Sequence, residues 1–151
     1  MALHMASWLQ SEVEEVAVIN RTAHSREDPE PCASVLVVED ETVARRALDK
    51  LLKREGYETT SVESAEAAIQ FLNEHEGPQI ALIDLDLPGM DGAELLRRLR
   101  SLSPNTHAVI MTAISAERVR ELIHDHRVPH LRKPLDFPIL LSVLSRETRP
   151  S

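Results

Sequence analysis

The sequence predicts an α/β fold, a five-stranded parallel sheet with helices on both faces. Three observations lead there. From Ser34 onward, short apolar runs alternate with amphipathic segments, strand then helix, five times over; that alternation builds parallel sheets covered on both sides. SVLVVED holds a continuous apolar run, like a strand buried on both faces, QIALID reads as another buried strand, and HAVIMTA as a further strand. The polar residues that follow these runs fall at strand C-termini, the edge where open α/β sheets bind ligands.

SVLVVED is the first buried strand. Thr42 to Arg54 reads as a helix, with Val43, Ala47 and Leu51 at i, i+4 and i+8 and Ala44, Leu48 and Leu52 beside them. Gly56 stops it. YETTSV is a weaker strand, nearer a sheet edge. Ser64 caps a second helix carrying Ala68, Ile69 and Leu72. QIALID is the third strand. Leu95, Leu96, Leu99 and Leu102 mark a third helix, and HAVIMTA is the fourth strand. Ser115 caps a fourth helix with Val119, Leu122 and Ile123. PHLRK is a short fifth strand, and Pro138, suited to a first turn, opens a last helix through Leu141 and Leu144. With right-handed crossovers, five such units take the strand order 2-1-3-4-5, a flavodoxin-like (βα)5 three-layer sandwich.

Composition bounds what such a fold can do. Of 151 residues, 42% are apolar, enough for one real core, but only 3% are aromatic, so aliphatic side chains must fill it. A net charge of −8 argues against gripping nucleic acid, which needs a basic face. The single cysteine, Cys32, allows no internal disulfide and fits a reducing, cytoplasmic compartment. The apolar stretches fall far short of the ~18 residues of a membrane span, and no secretory signal is visible. Residues 1–33 read as an N-terminal extension or linker: MALHMAS as a cloning remnant, Trp8 to Asn20 as a short helix, RTAHSREDPEPCAS as linker composition. Residues 34–147 form the compact domain and 148–151 a tail.

The strand ends gather chemistry. The first ends in Glu39 and Asp40, the third in Asp84, the fourth in Thr112 and the fifth in Lys133. In the 2-1-3-4-5 order the two acidic ends flank the switch point. Three carboxylates that close together repel, and stay ionised only beside a cation. All are oxygen ligands, with no cysteine or histidine among them, which suits Mg²⁺. Lys133 adds a fixed positive charge and Thr112 a hydroxyl, the groups a phosphoryl needs, while Ala113 leaves room for it. Asp84, central between the acidic pair and Thr112, is best placed to accept phosphorus as an acyl phosphate.

The set resembles the receiver domain of bacterial two-component response regulators over Ser34 to about Glu147. The acidic pair, the D-x-x-x-P-x-x-D-G run at Asp84–Gly92, the Thr112–Ala113 pair and Lys133–Pro134 come in order after the expected strands. The resemblance implies Asp84 as phosphoacceptor, with Mg²⁺ held by Asp40, by Asp84, by Glu39 through water and by the Asp86 backbone carbonyl. It implies Thr112 as the switch hydroxyl, His130 at the switch-aromatic position, Lys133 pairing with the phosphate, and a cis Lys133–Pro134 bond. A sensor histidine kinase would donate the phosphoryl. The face of the fourth helix, fifth strand and fifth helix would repack to dimerise or to control an output domain elsewhere in a longer protein. Ile114 stands two after Thr112, where it would shield the acyl phosphate from water; Asp86 would act the other way by positioning water. Asp91, with Gly89 and Gly92, shapes the turn and caps the next helix.

Two other functions compete. DLDLP resembles the D-x-D of haloacid-dehalogenase-like phosphatases, but there the D-x-D follows the first strand and an acidic pair comes after the lysine. A pseudo-receiver that binds a partner without phosphorylation is the third reading, which the complete site opposes. A switch, not a turnover enzyme, is expected. Arg97, Arg98 and Arg100 read as the wet face of a helix, and His124 and His126 as solvated.

Overall fold

A computed structural model describes residues 32–149; the expected Trp8–Asn20 helix and most of the linker lie outside them. The order is β1 (Ser34–Val38), α1 (Thr42–Arg54), β2 (Glu58–Val62), α2 (Ala65–Glu74), β3 (Ile80–Asp84), α3 (Gly92–Leu102), β4 (His107–Thr112), α4 (Ala116–Leu122), β5 (His130–Arg132) and α5 (Phe137–Glu147). Every strand pairing is parallel, and the sheet runs β2-β1-β3-β4-β5. The expected flavodoxin-like order is the observed one.

The continuous apolar strands face two cores. Because the pleat sends successive side chains to opposite faces, Leu36, Val38, Ala81, Ile83 and Ile110 meet Ala68 and Leu72 of α2 and Leu95, Leu96 and Leu99 of α3. Val35, Val37, Ile80, Leu82, Val109 and Met111 meet Leu48 and Leu52 of α1 and Leu140 and Leu144 of α5. Each leucine or isoleucine so buried contributes about 1.5–3 kcal/mol. In β2, at one edge, only Thr59 is buried, which explains its weaker sequence signal.

Side-chain caps start every helix but α1. Ser64 Oγ accepts from the Ala67 amide at 3.0 Å, Ser115 Oγ from Arg118 at 3.3 Å and Asp136 Oδ1 from Ile139 at 3.1 Å. Each stabilises by about 1 kcal/mol. The first two are as expected; Asp136, just before Phe137–Pro138, is an added cap.

Several helix faces differ from the periodicity reading; in α3 the last residue of the expected stripe, Leu102, is exposed. In α1 the stripe facing the sheet is Ala44–Leu48–Leu52; Val43 is 75% exposed and Ala47 exposed. Two stripes one position apart carry the same four-residue period, so periodicity alone does not choose between them, whereas the sheet does. Leu122 is exposed at the end of α4, and Ile123, just past the helix, is the buried residue. In α5 the sheet takes Leu140 and Leu144, leaving Leu141 half-buried.

Candidate functional site

Parallel pairing brings all five strand ends to one rim. Glu39 and Asp40 follow β1, Asp84 ends β3, Thr112 ends β4, and Lys133 follows β5. Glu39, Asp84 and Thr112 are 1%, 2% and 0% exposed, a cost that polar groups bear only when partnered. For the two carboxylates the partner is Lys133, whose Nζ lies 2.8 Å from Glu39 Oε2 and 2.9 Å from Asp84 Oδ2. These residues stand 94 and 49 positions from Lys133 in the chain.

The remaining oxygens are also engaged. Glu39 Oε1 accepts from the Glu41 amide at 3.2 Å, and Asp84 Oδ1 from the Asp86 amide at 2.9 Å. Asp40 is exposed, yet Glu39, Asp40 and Asp84 each present one carboxylate oxygen within 4.8 Å of the others. Arg45 Nη1, at the end of the first turn of α1, donates to the Glu39 and Asp40 carbonyls at 3.0 and 3.2 Å and braces the acidic loop. Only its place five residues after Asp40 marks it in the sequence.

Burial raises the Glu39 pKa; the Lys133 hydrogen bond opposes this, and the Asp84 charge adds to it. Burial alone would lower the Lys133 pKa, but its hydrogen bonds to Glu39 and Asp84, and their charges, hold it above the ordinary lysine value. The ammonium thus stays charged, while the carboxylates remain short of compensation. One ammonium does not balance three carboxylates, and the uncompensated set is all hard oxygen, which fits Mg²⁺.

Thr112 holds its hydroxyl by two contacts: it accepts from the Ile114 amide at 3.2 Å and donates to Asp86 Oδ2 at 3.5 Å. The Ala113 amide donates to the same Asp86 oxygen at 3.4 Å. The Asp86 carboxylate, and not only the backbone carbonyl expected to face the metal, therefore lies in this cluster. The Lys133 amide donates to the Thr112 carbonyl at 2.7 Å, and the Lys133–Pro134 bond is cis, as expected.

A family model described as the response regulator receiver domain matches residues 35–145. This chain belongs to the response regulator receiver family. It is 36% identical over 115 residues to the response regulator protein FleR of Pseudomonas aeruginosa, covering 76% of this chain and 24% of that one. To the sporulation initiation phosphotransferase F of Bacillus subtilis it is 31% identical over 104 residues, 68% of this chain and 83% of the relative. A CheY-like receiver domain protein from Methanospirillum hungatei superposes with TM-score 0.70 at 25% identity, over 77% and 93% of the two chains. A response regulator receiver protein from Pseudomonas putida gives 0.68 at 27%, over 76% and 97%. This chain thus spans about a quarter of FleR and most of the phosphotransferase.

The β3–α3 loop shows how a receiver domain seats Asp84. Asp91 Oδ1 accepts from the Glu94 amide at 2.8 Å and caps α3. At Gly92 an added Cβ would lie 2.6 Å from the Asp84 carbonyl oxygen and 2.7 Å from Leu85 Cα, so a side chain there would push on the backbone of Asp84. Gly89 has φ +78°, the left-handed region the turn requires.

Other residues of this receiver domain sit further out. His130 opens β5 and is exposed, at the edge of a small hollow lined by Val119, Ile123 and Val128. Ile114 is half-buried against the α2–α3 side of the core. Arg97 and Arg98 pair with Glu94 on α3 itself. Arg100 reaches Asp125 at 2.6 Å, tying α3 to the segment before β5; the arginines, Asp125 and their partners keep substantial exposure, so these pairs contribute little. Beside Lys133 runs a mostly apolar groove of about 570 Å³, lined by Ala44, Ala47, Ala113, Pro134 and Phe137 among others.

Proposed function

We propose that the chain is a phosphorylation-dependent switch in which Asp84 accepts a phosphoryl group from a phosphohistidine of a sensor kinase. The observation that carries this is the buried Glu39–Lys133–Asp84 bridge, with the Lys133 ammonium 2.8 and 2.9 Å from carboxylates of two neighbouring strands. Such a cluster costs desolvation and has its use where a dianion arrives. In the transfer, an Asp84 carboxylate oxygen forms the new P–O bond as the P–N bond to the histidine breaks, and the imidazole keeps the electron pair. Lys133 pairs with the incoming phosphoryl charge, and the Thr112 hydroxyl and Ala113 amide donate to its oxygens.

Asp40, Asp84 and the Asp86 carbonyl would hold Mg²⁺, with Glu39 bound through water. When bound, the ion offsets the charge of the carboxylates and of the phosphoryl oxygens. Afterwards Thr112 shifts toward the phosphoryl and His130 follows, so that the face of α4, β5 and α5 changes. That face forms a homodimer or acts on an output domain in a longer protein. The apolar groove beside Lys133, with exposed Val43 and Phe137 on the bordering helices, offers the kinase a surface within reach of Asp84. The switch acts in the cytoplasm; among the described residues no helix is long and apolar enough to cross a membrane.

Labelling with phosphoramidate and Mg²⁺, read by intact mass, tests this. The wild type should gain one phosphoryl group and Asp84→Asn none. Labelling that persists in Asp84→Asn moves the acceptor elsewhere; no labelling of the wild type favours a pseudo-receiver.

A further inference from the structure

The Thr112 hydroxyl and the Ala113 amide form a two-donor cradle at the end of β4. Both donors meet one atom, Asp86 Oδ2, at 3.5 and 3.4 Å. The hydroxyl takes its own hydrogen bond from the Ile114 amide, so its proton is free to point at Asp86. The Asp86 main chain meanwhile donates to Asp84 Oδ1 at 2.9 Å. One residue thus holds the acceptor carboxylate with its amide and the phosphoryl donors with its side chain. Asp86 is exposed and both side-chain contacts, at 3.5 and 3.4 Å, are longer than ordinary hydrogen bonds of their kinds, so another anion can displace it.

We propose that the Asp86 carboxylate is a built-in stand-in for the phosphoryl group, occupying the Thr112–Ala113 donors until phosphorylation expels it. This rests on Asp84 being the acceptor and adds the control of how readily it is loaded. An arriving phosphoryl meets a seat already filled by a negative charge. Once bound, it keeps that charge as a neighbour, with only Lys133 and a metal to offset it. Asp86 therefore slows capture and weakens retention of any anion on Asp84. A smaller share of the domain is switched on at a given supply of donor than in the same fold with a neutral residue there.

Asp86→Asn tests the charge alone, since the amide keeps the shape and an accepting oxygen. The labelling rate with phosphoramidate, a donor too small to depend on docking, and the affinity for beryllofluoride with Mg²⁺ should both rise roughly fivefold to tenfold, the effect of removing one nearby like charge at a partly screened site. Asp86→Ala should be labelled at least as fast as wild type, with thermal melts showing that both variants fold. Because the group is exposed, the gap between wild type and Asp86→Asn should narrow as salt rises. Labelling and beryllofluoride affinity at or below wild-type values in Asp86→Asn overturn the proposal. So does a longer phosphate lifetime with an unchanged labelling rate and affinity, which would make Asp86 a group that positions water. In all these cases a labelled wild type and an unlabelled Asp84→Asn leave the acceptor assignment standing; an unlabelled wild type removes both.

Discussion

At the scale of single residues, the bridge through Lys133 determines how the site responds to substitution and to pH. Lys133→Met leaves Glu39 and Asp84 buried without their ammonium, and should lower stability by about 3 kcal/mol in urea melts without metal. Added Mg²⁺ should raise the melting temperature of this variant more than that of wild type, because the ion would replace the missing charge. Glu39→Gln removes a carboxylate whose ionised form burial disfavours, so it should cost much less near neutral pH. The signs follow from linkage. Folded Lys133 holds its proton above the ordinary lysine value; its contribution is complete below that value and is lost as pH rises through the raised one. An alkaline melt series should show this loss in wild type and lack it in Lys133→Met. Folded Glu39 also binds its proton more readily than the unfolded chain does. Its ionisation therefore lowers stability as pH climbs from the ordinary glutamate value to the raised one, and Glu39→Gln should flatten the pH profile in that window.

At the scale of elements, the β3–α3 loop couples helix packing to Asp84, the proposed acceptor. Asp91→Ala removes the α3 cap, which accepts at 2.8 Å, and should cost about 1 kcal/mol with little change in labelling. Gly92→Ala is different in kind. Its Cβ would enter the space 2.6 Å from the Asp84 carbonyl oxygen, so it should cost roughly 1–3 kcal/mol and slow labelling as well, because Asp84 itself must move. Chemical denaturation and phosphoramidate labelling on both variants separate the two effects. Helix α1 gives the complementary case. Its inner stripe, Leu48 and Leu52, holds it to the sheet, whereas Val43 serves no core. Val43→Ser should therefore leave stability within about 0.5 kcal/mol of wild type while slowing phosphotransfer from a kinase but not from phosphoramidate.

At the scale of the whole molecule, the proposed switch would use a parallel sheet with its polar strand ends on one edge to turn a small event at Asp84 into a change on the face of α4, β5 and α5. Beryllofluoride with Mg²⁺ should raise the melting temperature of wild type and leave Asp84→Asn unchanged. If the face of α4, β5 and α5 is the output, the same treatment should raise the mass in solution from monomer to dimer by light scattering; a monomer throughout would assign that face to an output domain instead.

By itself the sequence determined the strand–helix alternation, the 2-1-3-4-5 order and the residue types waiting at each strand end. These follow from short-range periodicity, from caps such as Ser64 and Ser115, and from the handedness of crossovers, all of which are local. Only the tertiary structure decided which of two adjacent stripes of α1 faces the sheet, that Arg45 braces the acidic loop, that Gly92 is small because Asp84 lies against it, and that the Asp86 carboxylate fills the Thr112–Ala113 donors. Each of these depends on what lies opposite a residue across a strand or a loop, and a one-dimensional pattern carries periods and types but not neighbours.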